Sequence, residues 1–236
     1  MVYLRAMALA LLYDVHGNLL ALQAVLDDAR DAGATRFLLG GDYALFGPWP
    51  AETLTALREL DAEWIRGNGE RWTASPTEAP DDAVVRAAIE ACRRALGAQA
   101  VEELAALPET HTRDGTLYCH GSPGSDVRSF FPQPADDEPD LLEGVECERL
   151  VFGHTHLPFR RVAARGIELV NPGSVGMPFD GDPRAAYAVV EDGGGVRHRR
   201  VEYDHLASAA AVRDHFDGEW TETVARRIER AAFDAG

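Results

Sequence analysis

Lysine is missing from this sequence. All 23 basic side chains of the 236-residue chain are arginines, which excludes Schiff-base chemistry and the lysine of a phosphate-binding P-loop. Codon bias is the plainest cause of such a gap, so no function attaches to it. Positive charge is scarce as well: 39 acidic residues leave a formal charge of −16. A field of that sign repels polyanions and argues against long nucleic acids and anionic membrane surfaces as partners. Cysteine is rare. Cys92, Cys119 and Cys147 are odd in number, widely spaced and without a CxxC pair. A disulfide framework or a zinc ribbon is therefore disfavoured, and a reducing, cytoplasmic compartment is expected. The one segment that could pass for a signal is Ala6 to Tyr13, AMALALLY, with Arg5 before it. It is far too short to span a membrane, and it runs straight into Asp14, as a buried strand does. Met7 is an alternative start that would make residues 1–6 an extension.

What remains is ordinary globular composition, 46% hydrophobic and 26% charged, which excludes collagen-like, low-complexity and disordered chains. The length suffices for a full core. No repeat, linker or shift of composition divides it, so residues 1–236 read as one domain. Apolar runs of strand length alternate with helix-period segments, which predicts an α/β fold. Ala8 to Tyr13 is a fully apolar strand. Asn18 predicts an N-cap for a helix carrying Leu19, Leu22, Val25, Leu26 and Ala29, closed by Gly33. Further strands are expected at Arg36 to Leu39, Trp64 to Arg66, Thr116 to Cys119, Leu150 to Phe152, Gly166 to Val170, Ala185 to Val190 and Val196 to Tyr203. Helices are expected over Pro50 to Leu60, over Asp81 to Leu107 in two pieces broken near Gly97, and twice at the C-terminal end. Ser125 to Asp140 is polar and proline-bearing, a long loop with the makeup of a lid.

One pattern recurs along the chain. Strand after strand ends in glycine beside a polar residue: Asp14-x-His16-Gly17, Gly41-Asp42, Gly67-Asn68, His120-Gly121 and Gly153-His154-x-His156. Sites in layered α/β sheets form where such strand ends converge. Each of these side chains is a good ligand for a hard or borderline divalent metal. Spacing of two puts both members of Asp-x-His and of His-x-His on one side of an extended segment. Asp14, His16, Asp42, Asn68, His120, His154 and His156 make seven candidates, about the number two neighbouring metals need if one carboxylate bridges them. Only two are anionic, so roughly four metal charges would leave the pocket net positive and suited to a phosphate.

The segments DVHGN, GGD, GNGE, HGSP and GHTH, in this order and spacing, resemble the calcineurin-like metallophosphoesterases, and within them the small bacterial and archaeal phosphodiesterase branch. GDYALFGPWP, NPGSVGMPFDGDPRAAYAVV and RRVEYD extend the resemblance over nearly the whole chain. The resemblance implies a four-layer α-β-β-α sandwich with metals at the strand ends. It assigns Asp14, His16 and His156 to one divalent ion, Asn68, His120 and His154 to the other, and Asp42 to the bridge, with Asp42, Asn68 and His120 nearest the chemistry. Two metal ions would hold a hydroxide for in-line attack on the phosphorus of a small phosphorylated substrate. Manganese is the first expectation, and mixed N/O ligation also admits iron, cobalt, nickel or zinc. A homodimer is the base-rate expectation.

The departures from the family pattern matter as much. The motif GNH followed by an acid here reads GNGE, with Gly69 in place of the histidine, and Leu45 stands where that histidine's usual acidic partner would be. A dyad lost in both halves predicts little general-acid catalysis, hence leaving groups of low pKa and diesters over alkyl monoesters. It also motivates a second hypothesis from another class: a catalytically weak binding or scaffold module that keeps the metal site; one trafficking-coat subunit that resembles this family shows such drift from chemistry. A nuclease is a third, opposed by the charge. Asn171 and Ser174 are candidate substrate contacts, with a plain turn between strands as the alternative. Asn18 reads as a cap, Glu70 as a residue that holds a loop. Trp49, Phe130, Phe131 and Phe179 are aromatic candidates to stack on a base, with ordinary loop packing as the alternative.

Overall fold

The computed structural model describes residues 8–233, so the question of the start residue lies outside it. The first strand, β1 (Ala8–Leu12), is fully apolar because it is central. Asn18 caps helix α1 (Leu19–Asp31), its Oδ1 accepting from the Ala21 N–H at 3.3 Å. Strand β2 (Ala34–Leu39), helix α2 (Pro50–Arg58), with its proline in the first turn, and strand β3 (Ala62–Trp64) follow. The next strands are β4 (Thr110–Arg113), β5 (Thr116–Cys119), β6 (Arg149–Val151), β7 (Phe159–Val162), β8 (Glu168–Asn171), β9 (Ala185–Val190) and β10 (Val196–Val201). They form two five-stranded sheets, ordered β10-β9-β1-β2-β3 and β4-β5-β6-β8-β7. Strands β1, β2 and β3 run parallel, as do β5, β6 and β8, and both sheets are completed by antiparallel strands.

The period-2 alternation of each strand builds the layers. Leu11, Tyr13, Leu38 and Ile65 of the first sheet meet Tyr118, Val151 and Val170 of the second in the core between them. Their neighbours Ala10, Leu12 and Leu39 face outward and bury against α1 and α2 through Leu22, Val25, Leu54 and Leu57. The outer face of the second sheet is covered more thinly. Leu150, Phe152 and Leu169 pack on Phe130, Leu141, Leu142 and Val145, which belong to the expected loop and to α5 (Glu138–Leu141), a single turn. The expected helix–sheet–sheet–helix order therefore holds, and its fourth layer is mostly this loop. It is pinned rather than loose: Phe130 is buried against Phe152, ring centroids 4.9 Å apart, and buried Glu138 pairs with Arg161.

A fourth cluster lies beside the first sheet. It joins α3 (Asn68–Ala74), α4 (Ala83–Ala105), α6 (His205–His215) and α7 (Trp220–Arg230) around Trp72, Ile89, Val212, Trp220 and Val224. Helix α4 breaks at Gly97 (φ 75, ψ 163), as its sequence predicts. Four elements depart from expectation. The GNGE segment opens helix α3 instead of forming a loop. The strand expected at Trp64 to Arg66 lies two residues earlier, and β4 and β7 were not anticipated. Their sequences, THTR and FRRV, are polar because both are edge strands.

Candidate metal centre

The C-terminal ends of β1, β2, β3, β5 and β6 deliver all seven predicted ligands to one place. Five of them adopt left-handed backbone conformations: Asp14 (φ 54), His16 (φ 48), Asp42 (φ 57), His154 (φ 67) and His156 (φ 58). Residues other than glycine rarely do so, and the strain of roughly 1 kcal/mol or more at each persists only where the surroundings enforce it. The enforcement is visible. The His16 N–H donates to Asp42 O and the Gly17 N–H to Tyr43 O, both at 2.8 Å, and the His154 N–H donates to Asp14 Oδ2 at 3.0 Å. Gly47 is required by contact, since a Cβ there would lie 1.6 Å from the His16 carbonyl oxygen.

The imidazoles are aimed from behind. Nδ1 of His16, His120 and His156 faces the carbonyl oxygens of Leu45 (2.9 Å), Gly40 (2.8 Å) and Met177 (2.5 Å). A carbonyl only accepts, so Nδ1 carries the hydrogen and each Nε2 presents a lone pair to the site. Those lone pairs meet one another. His16 Nε2 and His156 Nε2 are 3.1 Å apart, and the Asp14 Oδ1 atom, 3.5 Å from His156 Nε2, is buried without a hydrogen-bond partner. The Asn68 carboxamide stands between His120 Nε2 (3.0 Å) and His154 Nδ1 (2.8 Å). With its NH2 turned inward it donates to both and to Asp126 O; with its oxygen turned inward it meets only acceptors. A shared cation relieves every one of these acceptor–acceptor contacts, so the donor set fits a metal.

Two groups of mutually close ligand atoms result, Asp14–His16–His156 and Asp14–Asp42–His120, each within 4.8 Å. Asp14 is common to both. Asp42 also faces both ways, with Oδ2 3.8 Å from His16 Nε2 and Oδ1 3.5 Å from His120 Nε2. Electrostatics separates the two carboxylates. Burial alone would raise Asp14, but the charges of His156, His120 and His16 hold it well below the usual carboxylate range. Burial pushes Asp42 up; His120 opposes the rise, and Glu70 and Asp14 add to it. Burial drives His16 down to about 3 and His154 to about 4, with the neighbouring His156 and His120 adding to the respective falls. Burial also opposes protonation of His120, but Asp42 and Asp14 raise it above its ordinary value.

Residues around the donor set hold it. The Glu70 carboxylate is buried and accepts from the N–H groups of Asp42 (2.9 Å), Tyr43 (2.8 Å) and Gly67 (2.8 Å). It thereby clamps the loops after β2 and β3 together, and caps α3. Asn18 does more than cap α1: its Nδ2 donates to Gly176 O at 2.8 Å, and its Oδ1 accepts from the Ser208 hydroxyl at 2.9 Å. Asn171 and Ser174 do not fit the expected role as substrate contacts. Both are fully buried. Asn171 Nδ2 donates to Gly153 O and Thr155 Oγ1 and its Oδ1 accepts from Gly173 N–H, while the Ser174 hydroxyl donates to Asp14 O and accepts from Met177 N–H. Their polar atoms are spent on shaping the Asp14 and His154–His156 loops.

The donor set floors a cleft of about 770 Å³ that exposes His16, Asp42, Asn68, His154 and His156, a volume ordinary for a small-molecule site. Phe46, Trp72, Phe131, Phe179 and Phe233 form much of its wall. Of the aromatic candidates read from sequence, Phe131 and Phe179 reach the cleft. Phe130 is buried behind it, and Trp49 packs edge-on against His215. Phe46, Trp72 and Phe233 escaped sequence reading because only the tertiary fold brings them there. A smaller neighbouring cavity of about 250 Å³ is lined by His120, Arg66, Arg71 and the Ser122–Val127 loop.

The sequence pattern of the calcineurin-like phosphoesterase superfamily domain matches residues 7–193. A metallophosphoesterase from Sphaerobacter thermophilus is similar in structure, with TM-score 0.80 and 27% identity, covering 96% of this chain and 100% of that one. The hypothetical protein PH1004 from Pyrococcus horikoshii OT3 shares the fold at TM-score 0.83 and 20% identity, covering 94% of this chain and 98% of that one. The uncharacterized protein MJ0912 of Methanocaldococcus jannaschii is 27% identical over 220 residues, 83% of this chain and 88% of its own length. Among the described residues no helix is long and apolar enough to cross a membrane. The family is metal-dependent, and the described residues include two candidate ligand groups for it. The chain belongs to the calcineurin-like phosphoesterase superfamily and is a hydrolase of phosphoric esters.

Proposed function

We propose that the chain is a dinuclear metal-dependent phosphodiesterase that hydrolyses a small phosphoester. The observation that carries this reading is the Asp42 carboxylate, whose two oxygens face His16 on one side and His120 on the other, with Asp14 shared between the two groups. Asp14, His16 and His156 would hold one divalent ion, Asn68, His120 and His154 the second, and Asp42 would lie between them. Two such ions, manganese being the first to try, supply Lewis-acid charge for the phosphoryl oxygens and activate the attacking water.

The chain's own residues do the rest. The Nδ1–carbonyl contacts fix three imidazole rings, and the Glu70 clamp fixes Asp42, so little reorganisation is needed when a phosphate arrives. In the reaction a bond forms from the water oxygen to phosphorus and the bond from phosphorus to the leaving oxygen breaks. The histidines that line the cleft, His16, His154 and His156, all belong to the donor set, and Gly69 and Leu45 supply no acid. Among the described residues the cleft holds no histidine outside the donor set to protonate the leaving oxygen, which favours alcohols of low pKa and diesters over alkyl monoesters. In this reading one structural unit serves throughout, which the packing of α6 and α7 on α4 and Met177 in one cluster supports.

The test compares bis-p-nitrophenyl phosphate with p-nitrophenyl phosphate. Metal-stripped protein is refilled separately with manganese, nickel, cobalt and zinc, with Asp42→Asn as control. Metal-dependent, diester-preferring turnover that the control loses is the expected result. No turnover with two ions bound would overturn the reading in favour of a binding module.

A further inference from the structure

We propose that the cleft selects phosphoesters whose organic group is flat, apolar and aromatic, and that Phe131 and Phe233 set this preference. The inference rests on the hydrolase reading above and adds a substrate class to it. Among the described residues the exposed large apolar side chains are Val127, Phe131, Val162, Leu206 and Phe233. Single exposed apolar residues need no explanation. Three of these, however, line the cleft that exposes His16, Asp42, Asn68, His154 and His156, with Phe131 46% and Phe233 56% exposed. Apolar surface that converges on a polar floor is the arrangement of a ligand site.

The wall is continuous with the floor. The Phe179 ring stacks on the His156 imidazole with centroids 4.3 Å apart and planes 13° from parallel. Phe233 meets Phe179 edge-on at 5.5 Å. Phe233 is held in place: the Arg227 guanidinium lies 4.2 Å over its ring, and Arg227 Nε donates to its carbonyl oxygen at 3.0 Å. The Gly181 N–H donates to Ala231 O at 2.9 Å, which ties the end of α7 to the loop that carries Phe179. Arg227 and Phe233 both lie beyond residue 193, where the family match ends, whereas Phe46, Trp72, Phe131 and Phe179 lie within it.

The charge of divalent ions held by the donor set would place the phosphoryl group at the floor. The organic group of the ester then has the aromatic wall to lie against. A sugar or a glycerol group gains little there. A planar ring gains area burial together with stacked and edge contacts.

The test uses three diesters with the same leaving group: methyl, cyclohexyl and phenyl p-nitrophenyl phosphate. In each, water bonds to phosphorus and p-nitrophenolate departs, so the retained group alone varies. The phenyl ester should exceed the methyl ester in kcat/KM by about tenfold or more, mainly through KM, with cyclohexyl between. Phe131→Ala and Phe233→Ala should each cut the phenyl-to-methyl ratio by about threefold or more. Val162→Ala, at an exposed site away from the cleft, should leave it unchanged. Calorimetry gives a second readout: diphenyl phosphate should bind the metal-loaded protein more tightly than dimethyl phosphate, and Phe233→Ala should remove the difference. Equal kcat/KM for methyl and phenyl esters would overturn the inference and leave the hydrolase reading intact. Cyclohexyl matching phenyl would overturn its aromatic part. If none of the three esters turns over, the phosphodiesterase reading fails and calorimetry decides alone. A diphenyl preference lost in Phe233→Ala then supports the wall, and equal binding overturns it.

Discussion

The backbone N–H of Gly69 donates to Asp42 Oδ1 at 2.6 Å, and the same contact leaves no room for a side chain. A Cβ at Gly69 would stand 2.8 Å from that oxygen. The position where the family pattern carries a histidine is thus filled by a backbone hydrogen bond to the carboxylate between the two ligand groups. Leu45, in place of the usual acid, is buried in the helical cluster, and its carbonyl aims His16. Both departures have a structural use here, so the missing dyad is not a simple gap.

It follows that Gly69→His does not restore a lost acid. The new side chain has to displace Asp42, and the hydrogen bond to a charged oxygen is worth about 1.5–3 kcal/mol. Turnover of bis-p-nitrophenyl phosphate should fall by about tenfold or more in Gly69→His and Gly69→Ala alike. A rise in either variant, read by steady-state kinetics at saturating metal, would contradict the packing argument.

Glu70 should matter for stability before it matters for chemistry. Its carboxylate serves three buried N–H groups from two loops, and removing it leaves donors without partners. Glu70→Ala should lose about 3 kcal/mol or more, and Glu70→Gln, which keeps one acceptor oxygen, roughly half of that. Urea unfolding in the presence of a chelator separates this loss from any effect on metal binding. Equal stability of the three proteins would show that the clamp is unimportant.

The adjacent residues Phe130 and Phe131 should behave oppositely. Phe130 is 1% exposed and packs on Phe152 and Leu150, whereas Phe131 stands 46% exposed on the cleft rim. Phe130→Ala should cost about 3–5 kcal/mol; Phe131→Ala should cost under about 1 kcal/mol. Paired unfolding curves decide this, and similar losses would mean that the loop packs differently.

The pH dependence has a definite sign. In the metal-free protein burial holds His16 at about 3 and His154 at about 4, against an unfolded value of about 6.5. Neutral imidazoles in the fold contribute stability that is fully present above about pH 6.5 and is lost as pH falls through 4 and 3. Imidazole NMR of chelator-treated protein should find His16 and His154 still neutral at pH 5, while His120, raised by Asp42 and Asp14, is protonated first. Protonation of His16 or His154 near 6.5 would contradict the burial account.

Much of this was legible in the sequence because the ligand motifs sit at strand ends, where the glycine–polar pattern is local. Asn18 as a cap, the break at Gly97 and the bounds of β9 were legible for the same reason. Helix α3 was not: Gly67-Asn68-Gly69 has the propensity of a turn, and a capping contact from Glu70 turns it into a helix start. Strands β4 and β7 are edge strands with polar sequences and carry no alternating signal. Asn171 ends β8 and Ser174 follows in a glycine- and proline-rich turn that reads the same whether it faces the cleft or the interior. The cleft wall from Phe233 depends on where α7 docks, which no local pattern encodes.

The most direct test of the central claim is the metal content per chain, measured by elemental analysis after refilling with manganese and removal of excess. The unmodified protein should hold about two ions, and Asn68→Ala, which touches one half of the donor set, about one. About one ion in the unmodified protein, or two in both proteins, would contradict a dinuclear centre built from these residues.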